Sequence, residues 1–161
     1  MAKKLLIVRH GKAAHGSIDL QDILRDLTAD GNTSSIAVAE KLLQKGEVPE
    51  LLVSSNAKRA LKTAQFFAAT WNIPKDSILI QPKIYEASVS ILLSLIEAFN
   101  DEYDFIAIFG HNPGFTDLVN YLSDEQIFEL PTSSATLLTF DQSSWAETSK
   151  GLGKLFFSIA P

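Results

Sequence analysis

Apolar residues in this chain come in unbroken runs of strand length: Lys4 to Val8, Leu51 to Ser54, Ile78 to Gln81, Phe105 to Phe109, Ala135 to Phe140 and Lys154 to Ile159. A strand with one wet face alternates apolar and polar residues, so continuous apolarity implies strands covered on both faces, as in a parallel sheet. Helix-period stripes follow the first four runs. Ile36, Ala39 and Leu43 predict a helix from about Asn32 or Thr33, stopped by Gly46. Leu61, Ala64, Ala68 and Trp71 predict a second, ended before Pro74, and Ile91, Leu92, Leu95, Ile96 and Phe99 a third, with Ser88 or Ser90 as its N-cap. Phe115, Leu118, Val119 and Leu122 predict a fourth, with Pro113 suited to its first turn. Strand and helix thus alternate, which predicts an α/β chain: a doubly wound, mostly parallel sheet flanked by helices and joined by right-handed crossovers. Either edge is open to the last two strands, and the pattern allows one of them to run antiparallel. No linker or repeat interrupts the series, so residues 1–161 read as one domain.

In such sheets ligands bind beyond the carboxyl ends of the strands. The residues delivered there carry a consistent chemistry. The first run ends in Arg9-His10-Gly11, the second leads through Ser54-Ser55 to Lys58-Arg59, and the fourth ends in Gly110-His111-Asn112-Pro113-Gly114. Two imidazoles and two guanidiniums suit a phosphoryl dianion. Arg presents a planar fork to two phosphoryl oxygens at once. A histidine whose other ring nitrogen is held by a backbone carbonyl offers a lone pair in fixed orientation, as a nucleophile requires. Gly11 is expected to let the backbone approach the phosphate, and the helix N-termini near Lys58 and Pro113 to add amide donors. Glu86, after the third run and before a helix, is a candidate general acid for an alkoxide leaving group; the alternative is a loop carboxylate or helix cap. The segment from Gly11 to Gly31 is a long excursion expected at the site rim. Lys12, Lys58 and His15 are expected at the surface, Trp71 and Trp145 in the packing.

Composition closes off other classes. A net charge of −5 argues against a broad nucleic-acid surface. Without cysteine there is no disulfide, thiolate chemistry or Cys-based zinc site, which is compatible with a cytoplasmic location. No run approaches the ~20 apolar residues of a membrane span, and the first is too brief for a signal-peptide core. Three histidines with no His-x-x-x-His spacing give no metal motif, and no Gly-Lys-Ser/Thr turn follows a strand.

Taken together, Arg9-His10-Gly11, Leu27 to Gly31, Ser54 to Ala64, Tyr85-Glu86 and Gly110 to Gly114 resemble the histidine phosphatase superfamily over nearly the whole chain. Its brevity and the segment Leu130 to Ala135 resemble the small SixA-type phosphohistidine phosphatases. The resemblance implies a phosphoglycerate mutase-like fold without a large cap insertion. It implies His10 as phosphoryl acceptor, with Arg9, Arg59 and His111 around the transferring group, and no metal or cofactor. Glu86 falls where many members carry the proton donor. Lys12, Asp26 and Asn56 depart from the mutase pattern. Only about two dozen residues separate Arg59 from Glu86 and Glu86 from His111, which leaves no room for a cap. The implied substrate is a phosphohistidine in a protein. A small phosphorylated metabolite, turned over by the same mechanism, and a non-catalytic phosphate-binding module are the alternatives.

Overall fold

The computed structural model describes residues 2–161, which form a six-stranded sheet and four α-helices. In chain order these are β1 (Lys3–Arg9), α1 (Ala29–Gln44), β2 (Leu51–Ser54), α2 (Lys58–Thr70), β3 (Leu79–Ile80), α3 (Val89–Glu97), β4 (Phe105–Gly110), α4 (Gly114–Leu122), β5 (Ala135–Phe140) and β6 (Gly153–Ile159). The strands lie in the order β3-β2-β4-β1-β5-β6. Neighbours from β3 to β1 are parallel; β5 runs antiparallel to β1, and β6 antiparallel to β5. Both late strands therefore join the same edge.

Side-chain alternation explains the continuous apolar run of β1, whereas the expected two-sided burial fails at the sheet edges: Leu79 and Ile80 of β3 are exposed, and β6 is covered on one face only, with Phe156 exposed on the other. Leu5 and Ile7 of β1 point to the side covered by α3 and α4, meeting Leu92, Ile96, Phe115 and Leu118. Leu6 and Val8 point to the other, meeting Val38 and Leu42 of α1, Phe67 of α2 and Trp71 just beyond its end. All four are fully buried, as a sheet sandwiched between helix layers requires. Trp71 and Trp145 are buried and donate their ring N–H to Ala39 O and Tyr103 O. Lys3 is buried too, its ammonium held by Asp104 Oδ1 and the carbonyls of Asp101 and Tyr103.

The first helix departs from its sequence-based placement. It begins at Ala29, a turn before Asn32, because the Thr28 side chain caps Gly31 N–H. Its buried stripe is Gly31, Ser35, Val38, Ala39 and Leu42, offset by one residue from Ile36–Ala39–Leu43; Leu43 is exposed. The offset arises because two small residues, Gly31 and Ser35, face inward against the β1 turn. At the other end Gly46 adopts φ +72°, the expected left-handed stop. The α3 N-cap is Ser88, whose side chain accepts from Ile91 N–H. The excursion after Gly11 is tied back by Thr28 N–H to Lys12 O and Ala14 N–H to Asp26 O, with a single 3-10 turn at Asp22–Leu24.

Candidate active site

β1, β2 and β4 end side by side, Arg9 in register with Gly110, so the segments that follow them share one edge. His10 leaves β1 with its N–H on Gly110 O, and His111 continues directly from β4. Their rings lie 5.3 Å apart between centroids, tilted by 55°. Arg59, in the first turn of α2, is buried beside them, and Arg9 stands half-buried at the end of its strand. The four groups nominated from sequence are thus brought together.

The hydrogen-bonding around each ring fixes its chemistry. His10 Nδ1 lies 2.7 Å from Gly11 O. A carbonyl only accepts, so Nδ1 carries the proton and Nε2 keeps its lone pair. His111 Nε2 lies 2.8 Å from Ser55 Oγ, which already accepts from Ala57 N–H. Ser55 Oγ keeps both a proton and a second lone pair, so the direction of this bond follows the His111 tautomer; with the hydroxyl donating to Nε2, the His111 proton sits on Nδ1. That atom is buried and has no partner among the described residues. Burial lowers the pKa of both rings: His10 to about 4, with Arg59 and Arg9 adding to the effect, and His111 to about 3, with His10 and Arg59 adding to it. Both imidazoles are neutral at pH 7.

The backbone supports are equally specific. Arg9 Nη1 donates to Leu130 O at 2.7 Å and lies 3.6 Å from Glu129, while its buried Nε has no partner among the described residues. Asn112 also donates to Leu130 O. Arg9 N–H and His10 O are held by Ser134 O and Ser133 N–H. The antiparallel course of β5 brings this Leu130–Ser134 segment to the edge where β1 ends.

Gly11 has a packing role as well. Its N–H is taken by Thr63 Oγ1 at 3.0 Å, so it offers no open amide. A Cβ there would lie 2.8 Å from Gly31 O and 2.9 Å from Ser35 Oγ; the glycine lets β1 pack against the start of α1. Glu86 is exposed and lines a cavity of about 460 Å³ with Arg59, Tyr85 and His111. Its backbone takes φ +53°, uncommon outside glycine.

Three contributors escaped sequence reasoning. Ser55 and Thr63 are polar residues buried where strand or helix meets the site, visible only once their partners are known. Asp22, in the loop excursion, accepts from Arg59 Nη2 at 3.1 Å, Tyr85 Oη at 2.5 Å and Arg25 Nη1 at 3.1 Å. The Tyr85 hydroxyl, followed by the two guanidiniums, holds its carboxyl well below the usual range, and in return the Tyr85 phenol is pushed up to about 12.

Among solved structures, the chain superimposes on a protein assigned as the phosphohistidine phosphatase SixA from Agrobacterium tumefaciens with a TM-score of 0.85. The two are 25% identical, over 99% of this chain and 98% of that one. The protein histidine phosphatase SixA complexed with tungstate shares the fold at a TM-score of 0.82 and 22% identity, over 98% and 96% of the two chains. Among sequences, an uncharacterized chloroplastic protein of Arabidopsis thaliana is 26% identical over 91% of this chain and 71% of its own length. Sheet order, flanking helices and these likenesses define a phosphoglycerate mutase-like α/β phosphatase. The model of the histidine phosphatase superfamily (branch 1) matches residues 5–113, and the chain belongs to that superfamily.

Proposed function

We propose that residues 1–161 form one phosphatase domain that removes the phosphoryl group of a phosphohistidine in a protein, through a covalent intermediate on His10. The observation that carries the reading is the Nδ1 contact of His10 with Gly11 O, because it leaves Nε2 unprotonated and aimed. In the first step Nε2 attacks phosphorus in line, the P–N bond to the substrate imidazole breaks, and that ring, protonated on its other nitrogen in the substrate, leaves as neutral imidazole while His10 becomes a phosphorylated imidazolium. In the second, water attacks the phosphohistidine on His10 and releases inorganic phosphate. The roles of the surrounding groups are part of the proposal. Arg9, Arg59 and the Nδ1–H of His111 bind the equatorial oxygens, on which charge is concentrated throughout. Glu86, at the wall of the 460 Å³ cavity, donates a proton where the leaving group is an alkoxide.

A protein substrate is favoured by access. β3 connects to α3 through eight residues, Gln81–Ser88, and β4 leads to α4 through three, so neither connection is long enough to carry a capping insertion. A phosphorylated side chain on a protein surface reaches it, and so does a small phosphate ester. A cytoplasmic setting agrees with a cysteine-free chain, and no helix among the described residues is long and apolar enough to cross a membrane. The test is a rapid quench of enzyme mixed with a phosphohistidine-carrying protein and with a panel of metabolite phosphates. Acid-labile label on wild type, absent from His10→Ala, is expected, with the phosphoprotein turned over at the higher kcat/KM. Full turnover by His10→Ala refutes the mechanism; equal efficiency on several metabolites refutes the substrate.

A further inference from the structure

Arg59 meets Asp22 end-on. Its Nη1 donates to the main-chain O of Asp22 at 2.8 Å and its Nη2 to Oδ2 at 3.1 Å. Among the described residues no other acceptor engages this guanidinium, so its Nε side remains unclaimed. The same carboxylate is itself held from two directions. Tyr85 Oη donates to Oδ2, from the β3–α3 connection sixty-three residues away, and Arg25 Nη1 donates to Oδ1. Arg25 is anchored in turn by Nε to Ala14 O. Tyr85 completes the enclosure: its ring stands edge-on to His111 at 5.5 Å and its centroid lies 6.0 Å from Arg59 Cζ. Arginine side chains are long and carry much rotamer entropy, and a fork aimed at a tetrahedral anion loses binding strength when its rotamers are unrestrained.

We infer that Asp22 is a positioning residue: by occupying the Nη1–Nη2 end of Arg59 and being locked by Tyr85 and Arg25, it presents the Nε side of that fork to the phosphoryl group. The inference rests on the reading of Arg59 as a phosphoryl-binding group. It has a sharp opposite, since an acidic side chain on a phosphate-binding arginine is also a candidate competitor for the anion. The two differ in sign. A positioning carboxylate strengthens phosphate binding, whereas a competing one weakens it.

Inorganic phosphate affinity is measured by calorimetry, alongside kcat and KM on a chromogenic phosphomonoester, for wild type, D22N, R59A and D22N/R59A. Near-ultraviolet spectra and thermal melting of each report the fold. D22N is expected to weaken phosphate binding and lower kcat/KM by about tenfold each, as the loss of one charge-assisted contact implies. In the R59A background the same change has little further effect. D22E, which retains a carboxylate, recovers part of the loss. Phenolate absorbance gives a readout that mere loop support would not move: the tyrosine signal absent from Y85F ionises at lower pH in D22N than in wild type. Should D22N fail to fold, Y85F removes one holder of the carboxylate and is expected to weaken phosphate binding in the same direction. Unchanged or tighter binding by D22N, with R59A weakened, overturns the positioning role and leaves the phosphatase mechanism standing. Unchanged binding by R59A overturns the reading of Arg59 itself, and the inference with it.

Discussion

Lowering the pH from 7.5 to 5 is expected to destabilise the free protein by about 4 kcal/mol, through His10 and His111 alone. Both are buried neutral, with pKa about 4 and about 3 against an ordinary value of 6.5. In the unfolded chain each binds a proton as the pH falls through 6.5; in the folded protein neither does until near 4 or below. Stability is therefore fully present above 6.5 and lost progressively below it. At pH 5 the unfolded form of each residue is favoured by about 2 kcal/mol, from roughly 1.36 kcal/mol per pH unit between the two pKa values. The carboxylates Asp22, Asp26 and Asp101, whose pKa values are lowered from 3.8, contribute their own loss only below that window. Urea unfolding across the range, read as midpoint at constant m-value, measures the slope. The double variant H10N/H111N should flatten it. A wild-type midpoint that stays level between pH 7 and 5, or a slope that survives in the double variant, refutes the claim that both rings are held neutral by burial.

Phosphate reverses this balance, because a dianion between the rings favours their protonated forms; binding at pH 6 should take up protons, seen as a buffer-dependent calorimetric enthalpy. Arg59→Lys should lower kcat/KM by about one to two orders of magnitude with little change in melting temperature, since an ammonium cannot reproduce the fork. Glu86→Gln should slow hydrolysis of an alkyl phosphate by about a hundredfold and of a phosphohistidine far less; equal losses on both argue against proton donation. Gly31→Ala would place a Cβ 2.3 Å from Lys12 O and should cost about 1–3 kcal/mol in chemical denaturation.

What was legible in the sequence follows from how locally each feature is determined. Strand positions and the four charged or imidazole groups were readable because continuous apolar runs and strand-end motifs are local signals. The α3 cap and the Gly46 stop were readable for the same reason. The start of α1 was obscured by Asp30-Gly31-Asn32, which reads as a loop until the Thr28 cap is seen. Its inward stripe was misplaced because Ser35, a polar residue, is buried against the Gly11 turn. The packing role of Gly11 was hidden because close approach and tight packing demand the same residue, and its neighbours Gly31 and Ser35 come together with it only in the tertiary fold. Asp22 carries no local signature: its partners Arg25, Arg59 and Tyr85 lie three, thirty-seven and sixty-three positions away. The pairing of β5 and β6 depended on edge choice, which periodicity does not encode.

The reversed direction of β5 has a consequence for how this enzyme can vary. Because that strand enters from the catalytic end, the link from α4 is stitched to Arg9 and Asn112 by one shared carbonyl, that of Leu130. Insertions or deletions between Leu122 and Leu130 would therefore retune an arginine more than a hundred residues upstream, with no charged group exchanged. Given the phosphoryl-binding role proposed for Arg9, loop length at this seam is expected to tune reactivity in a way that point-mutation surveys of the reactive side chains would not sample.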